Sequence, residues 1–306
     1  MPKEALRSTL NSDGALLATY RWKANTPKAN LLVLHGMSQH AGRYAEFANH
    51  LCSNNIDVFA HDHRGHGDTD PEQPRGFFGS KNGWDLVLKD VQTHIEEIQK
   101  HSDAPLFILG HSMGSFIAQE ALIRYGSQLS GALLSGSGGP LDLLGQIGRY
   151  VARIEKLKSG PLGISKILNQ NAFEEYNKIF APIRTQSDWL TRDHKIVDEH
   201  LADPKTGFDC TNQLWIDFLD GIHLASNPKR IKSIPNECPI LIFSGSKDPV
   251  GKETRGLRAL MSRYAEAGIE HINYLFYSEG RHEMLNETNR EEVFEDIVNW
   301  IFAQLS

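Results

Sequence analysis

The sequence predicts an α/β fold: a mostly parallel sheet flanked by helices on both faces. Three observations carry that prediction. Short apolar runs alternate with amphipathic helical patterns, as successive strand–helix–strand units require. The runs are apolar at consecutive positions, the pattern of parallel strands buried on both faces. The chain has 306 residues, 40% hydrophobic and 23% charged, enough for one large domain with a full core and an inserted segment.

Taken in order, two short segments around Ser12-Asp13-Gly14 read as an opening hairpin. The buried strands are Leu31–Leu34, Asp57–Ala60, Leu106–Leu109, Ala132–Leu134, Ile240–Phe243 and Tyr274–Tyr277. Helical patterns fall between them, over roughly 43–54, 83–100, 115–125, 252–268 and 289–304. Within 83–100, Trp84, Leu88, Val91, Ile95 and Ile98 recur at three- and four-residue spacing and form one apolar stripe. From about Pro140 to Ser233 the alternation stops and no strand is expected. More than 90 helical residues between two strands read as a subdomain rather than a loop. The expected division is therefore a core of residues 1–139 and 234–306 and a helical cap of residues 140–233. In the cap, Leu141, Leu144, Ile147, Val151, Ile154 and Leu157 share one helical face, which is expected to pack onto the main domain and in part to line an apolar pocket.

Charge and cysteine content exclude some classes. The net charge is −6 with no long Lys/Arg run, so a nucleic-acid partner is not expected. The opening MPKEALRSTLNSDG has no apolar signal-peptide core, and no stretch approaches the roughly 18 apolar residues of a membrane span. Cys52, Cys210 and Cys238 are scattered and odd in number, which fits a reducing compartment. A cytoplasmic location follows as the expectation.

The strongest chemical signal is Gly110-His111-Ser112-Met113-Gly114, a G-x-S-x-G. With Gly and Ser each at ~7%, chance would supply the pattern about 0.1 times in such a chain. Its context sharpens it, because it follows the run Leu106–Leu109 and opens the helical pattern from Ser115. That is the strand–turn–helix setting of a nucleophile elbow, where small residues let strand and helix approach. A serine needs a base, and the base an orienting carboxylate. In open α/β sheets such residues lie beyond the C-terminal ends of strands. Among 14 histidines, that rule selects His282, after the last strand, and rejects His271, which precedes it. It likewise selects Asp248 in the loop SGSKDPVG. Two donors should hold the oxyanion: the backbone N–H of Met113 and that of Met37, in the loop opened by His35-Gly36 after Leu31–Leu34.

The histidine-dense His61-Asp62-His63-Arg64-Gly65-His66 competes as a metal cluster. Its glycine and Arg64, with no cysteine near, favour a shaped loop beside the active site, so no metal and no cofactor are expected. Trp84, Asp85 and Asp90 on the 83–100 helix call for nothing beyond capping and packing.

Five segments, HGMSQHAGRY, FAHDHRGHG, LGHSMGS, SGSKDPVG and GRHEMLNE, resemble the monoacylglycerol lipase and bacterial lysophospholipase branch of the α/β-hydrolases, also called serine aminopeptidase-like hydrolases. The resemblance runs from about residue 8 to 304 and is loose across 140–233. It implies an eight-stranded α/β-hydrolase sheet with a cap and a triad of Ser112, Asp248 and His282. It also implies an oxyanion hole from Met37 and Met113, with Gly36, Gly110, His111 and Gly114 shaping the loops. The implied activity is cofactor-free hydrolysis of single-acyl lipid esters, with transient contact between the cap and a membrane surface. Two alternatives stay open. One is an esterase or thioesterase for small substrates, or an aminopeptidase using a cap carboxylate such as Glu174, Glu175, Asp193, Asp198 or Glu199. The other is a hydrolase homologue that has lost catalysis and binds a ligand.

Overall fold

The computed structural model describes residues 4–305, apart from the side chains of residues 171–173. Residues 1–3 and 306, at the ends of the expected core, lie outside the described residues. Eight strands form one sheet: β1 (Leu6–Ser12), β2 (Ala15–Trp22), β3 (Ala29–Leu34), β4 (Ile56–His61), β5 (Leu106–His111), β6 (Gly131–Ser135), β7 (Ile240–Gly245) and β8 (Ile272–Tyr277). Their order is β1-β2-β4-β3-β5-β6-β7-β8. The opening hairpin pairs antiparallel, β2 joins β4 antiparallel, and every other pairing is parallel.

Strand periodicity divides the core. Leu32, Leu34, Ile108, Leu134 and Ile242 face one side, against α2 (Gly83–His101), α3 (Met113–Tyr125) and α9 (Arg255–Glu266). Their neighbours Leu31, Val33, Leu109, Leu133 and Phe243 face the other, against α1 (Ala45–Ser53) and α10 (Arg290–Ala303). Fully buried aliphatic and aromatic side chains of this kind contribute about 1.5–3 kcal/mol each, which explains why consecutive strand positions are apolar. The edge strand β8 departs from the expectation of burial on both faces. Asn273 and Tyr274 are exposed there, because β8 pairs with a neighbour on one side only, as the last strand of the sheet.

Between β6 and β7 lie α4 (Leu143–Ser159), α5 (Lys166–Lys178), α6 (His194–Ala202), α7 (Asn212–Ala225) and the short α8 (Pro228–Ile231). Side chains of Asp142, Ser165, Asp193, Thr211 and Asn227 cap these helices by accepting a first-turn N–H. Helix α4 corrects in part the expectation that its stripe packs on the main domain: Leu141 and Val151 pack against the core, and the rest of the stripe turns outward. Leu144 is 74% and Leu157 87% exposed, and Ile147 and Ile154 also face outward. The helix packs on α7 through its other side, where Ala152 is buried and Arg149 and Arg153 pair with Asp220. The insertion is tied to the sheet's C-terminal loops. Gly207 N–H donates to Ser38 O at 3.0 Å, Thr211 N–H to Gly76 O at 3.0 Å and Glu283 N–H to Leu190 O at 2.7 Å.

Candidate active site

The chain leaves β3 for β4 on one side and later enters β5 on the other side of β3. Ligands of open α/β sheets bind where the order reverses in this way. The loop Gly36–Gln39 follows β3 and Ser112 follows β5, so both belong to that crevice. Ser112 alone separates β5 from α3, at φ 52 and ψ −120. A non-glycine residue held there costs about 1–3 kcal/mol. The surroundings enforce it: Ser112 N–H donates to Ser135 O at 2.9 Å, and Ser115 Oγ–H donates to Ser112 O at 2.6 Å. A Cβ on Gly110 would stand 2.2 Å from Gly114 O, and one on Gly114 would stand 2.2 Å from Leu34 O. Only glycines permit this turn and this approach of α3 to β3. Met113, buried, starts the helix, whose N-terminal partial positive charge lies beside the serine.

Asp248 follows β7 and His282 follows β8; both side chains are 1% exposed, with His282 Nδ1 2.9 Å from Asp248 Oδ1. Asp248 also accepts from Ser244 Oγ–H at 2.7 Å and Val250 N–H at 2.9 Å. Burial, the largest single effect, raises the Asp248 pKa, but the His282 charge and these hydrogen bonds outweigh it and bring the carboxyl below its ordinary value. An ionised Asp248 accepts the Nδ1 proton of His282 and leaves Nε2 as the basic nitrogen.

Around Gly36 the site closes. The Cβ of Ser112, Cδ2 of His111 and the amide oxygen of Gln39 each lie 3.3 Å from the point a Cβ on Gly36 would occupy. The His111 ring stands 4.8 Å from that of His282, and Gly136, at φ 51, admits both rings where a Cβ would lie 2.9 Å from His282 Cε1. Burial lowers the His111 pKa to about 3, so this imidazole stays neutral beside His282. Met37, partly buried, continues the loop, and Ser38 anchors it by donating to Phe208 O at 2.6 Å. His271 lies at the start of β8, at the end of the strand opposite His282.

The histidine-rich loop packs behind this site. His63 N–H donates to His35 Nε2 at 2.9 Å, and the rings of His35 and His63 lie 4.3 Å apart. Among the described residues no three His, Cys, Asp or Glu side chains are arranged to hold a metal ion. Asp90 corrects its reading as a mere packing residue: buried, it takes a two-pronged pair from Arg64 at 2.8 Å and 2.8 Å. That pair anchors the histidine loop to α2.

Sequence reasoning missed four neighbours. Glu283, Arg43 and Gln39 form one buried polar cluster beside His282. Within HGMSQHAGRY and GRHEMLNE their residue types were visible, but no periodicity or spacing joins them. Trp189, from the insertion, lays its ring 4.9 Å from that of His282, and no sequence signal marked it. No helix among the described residues is long and apolar enough to cross a membrane.

Comparison with known proteins agrees with this architecture. The family described as serine aminopeptidase, S33 matches residues 25–289. A monoglyceride lipase of Mus musculus is 30% identical over 313 residues, which span 100% of this chain and 93% of the relative. The phospholipase YtpA of Bacillus subtilis is 31% identical over 284 residues, 90% of this chain and 95% of the relative. The crystal structure of a thermostable carboxyl esterase from Bacillus coagulans superposes with a TM-score of 0.91 at 24% identity, covering 99% of this chain and 100% of that one. Matched along most of its length, this hydrolase belongs to the serine aminopeptidase S33 family of α/β-hydrolases, in the branch that resembles monoacylglycerol lipases.

Proposed function

We propose that the protein is a serine carboxylester hydrolase acting on lipid esters with a single acyl chain, such as monoacylglycerols or lysophospholipids. The observation that carries this reading is the buried His282–Asp248 hydrogen bond of 2.9 Å at the strand ends beside a serine held at φ 52. The lipase and phospholipase relatives support the lipid ester as substrate.

In the proposed mechanism Ser112 Oγ attacks the ester carbonyl carbon while His282 Nε2 takes its proton. Asp248 holds the imidazole in the required tautomer and stabilises its charged form. The oxyanion takes hydrogen bonds from the backbone N–H groups of Met37 and Met113. The alcohol leaves with the proton from His282. Water, deprotonated by the same nitrogen, then releases the fatty acid and restores Ser112. The chemistry is complete without a cofactor.

Residues 140–233 serve in this reading as the cap. Leu143, Leu144, Ile147, Tyr150, Ile154 and Leu157 expose an apolar face on α4. An exposed apolar helix face of this kind fits transient contact with a lipid surface. The aminopeptidase reading draws less support, because Glu174, Glu175, Asp198 and Glu199 are exposed and Asp193 is engaged with Arg290 and the α6 N-terminus. The buried free cysteines fit a cytoplasmic setting.

A fluorophosphonate probe tests the assignment: it should label Ser112, and Ser112→Ala should abolish both labelling and turnover of monoacylglycerol. Folded wild-type protein that resists labelling overturns it.

A further inference from the structure

Glu283 follows His282 in the chain, and its carboxylate is buried at 2% exposure. It accepts from Arg43 Nη1 at 2.7 Å and Nη2 at 2.9 Å, from Asn286 Nδ2 at 2.9 Å, and by a short bond from Gln39 Nε2. The Gln39 amide spends its nitrogen on Glu283, so its oxygen is turned toward Gly36, 3.3 Å from where a Cβ would stand. The same point lies 3.3 Å from Ser112 Cβ. Arg43 belongs to a short 3-10 turn, Ala41–Tyr44, directly after that loop. Glu283 N–H in turn donates to Leu190 O at 2.7 Å, and His282 N–H to Trp189 O at 3.4 Å. Glu283 therefore joins three segments: its carboxylate holds the loop that carries Gly36 and Met37 through Gln39 and Arg43, its backbone N–H holds the insertion strap at Leu190, and the chain itself ties it to His282, the proposed general base.

We propose that Glu283, gripped by Arg43 and Gln39, is a positioning residue that sets the Gly36–Met37 loop against Ser112 and His282. The proposal rests on the triad and oxyanion reading above. Its physical basis is the geometry of acyl transfer. Oxyanion donors must stand about 2.7–3.1 Å from where the charge develops, and a misplacement of about 1 Å costs about 10²-fold in rate. Met37 is in a loop, which cannot keep that tolerance unaided. A bidentate guanidinium–carboxylate pair fixes both distance and orientation. Stability alone does not account for the pair. Two charges buried together bring little over an apolar pair of the same shape, whereas removing one strands the other.

That asymmetry supplies the test. Glu283→Gln, Arg43→Met and the double variant are compared with wild type for kcat and KM on a short soluble p-nitrophenyl ester, inhibition by an alkyl boronic acid, and thermal midpoint. The boronic acid becomes tetrahedral on Ser112 and needs the oxyanion donors, while KM for the short ester does not. Each single variant should lose about 10²-fold in kcat, with boronic acid affinity falling in proportion and KM moving less than about threefold. The double variant should regain thermal stability yet remain as slow as the singles. A merely structural pair would regain rate together with stability, and that result overturns the proposal. So does a folded Glu283→Gln with kcat within about threefold of wild type, or a kcat loss with boronic acid affinity unchanged. If the Glu283 variants do not fold, Gln39→Ala removes only the amide and should show the same parallel loss; unchanged kcat there overturns the proposal. Wild-type labelling of Ser112 by a fluorophosphonate is run alongside. Absence of labelling overturns the triad reading, whereas labelling with unimpaired variants overturns the positioning role alone.

Discussion

His63 donates its backbone N–H to Nε2 of His35 at 2.9 Å. A ring nitrogen that accepts a hydrogen bond cannot carry a proton, so the loop behind the site is built around a neutral imidazole. His35 Nδ1 then donates to Gly36 O at 2.7 Å. The other ring nitrogens of the cluster are equally sequestered: burial lowers the pKa of His63 to about 3 and those of His66 and His94 to about 4, and takes His35 and His61 well below their ordinary value.

Acid should therefore unfold the protein early. An unfolded chain takes up protons on these histidines below about pH 6.5, while the folded chain does not. Because the folded values are depressed, the stabilisation is complete above about pH 6.5 and is lost as pH falls toward about 4. Each histidine contributes a slope of about 1.4 kcal/mol per pH unit in that window. Urea midpoints measured between pH 7.5 and 4.5 should fall steeply, with several protons taken up on unfolding. A flat profile across that range would show that the cluster is charged or open in the folded state.

Asp248→Asn should lower kcat about 10⁴-fold, through loss of the correct His282 tautomer. His282→Ala should cost about 10⁶-fold, as should Ser112→Ala, and the double variant should be little worse. Steady-state kinetics on a medium-chain monoacylglycerol checks the order. Activity should survive EDTA, because the proposed oxyanion donors are backbone N–H groups. Loss of activity in His271→Ala with His282→Ala unaffected would overturn the choice of base.

Ser112→Gly should be inactive and yet more stable than wild type. Relief of the φ 52 conformation returns about 1–3 kcal/mol, against about 0.5–1 kcal/mol for the added freedom of glycine in the unfolded chain. Ser112→Ala keeps its Cβ and should lack the gain. Thermal midpoints of the two inactive variants decide this; equal midpoints would mean that the elbow stores no strain.

Acyl-chain length should govern specificity in the proposed lipid esterase. Each buried methylene adds about 0.8 kcal/mol, about fourfold in binding, until the pocket is full. Replacing Leu144, Ile147 and Ile154 by Gln should leave thermal stability unchanged, because these side chains already face solvent. It should lower turnover of long-chain monoacylglycerol in lipid vesicles at least several-fold and spare short soluble esters. A wild-type preference for acetyl esters or aminoacyl amides would favour the small-substrate alternative.

By itself the sequence determined the strands, the elbow and the order in which Ser112, Asp248 and His282 follow their strands. These are local matters. A buried parallel strand declares itself in consecutive apolar residues, and the turn at Ser112 needs glycines two positions on either side of it. Tertiary structure decided whatever depends on which surfaces meet. The apolar stripe on α4 was legible as periodicity, but periodicity has no direction, and packing on α7 turned Leu144, Ile147, Ile154 and Leu157 outward. Asp90 read as an ordinary helix residue until the chain brought Arg64 against it. Arg43 and Glu283 stand 240 positions apart, and no local pattern encodes their pairing. Two charged groups so distant can be buried together only after the sheet has brought the β3 and β8 loops to the same edge, where each neutralises the desolvation of the other.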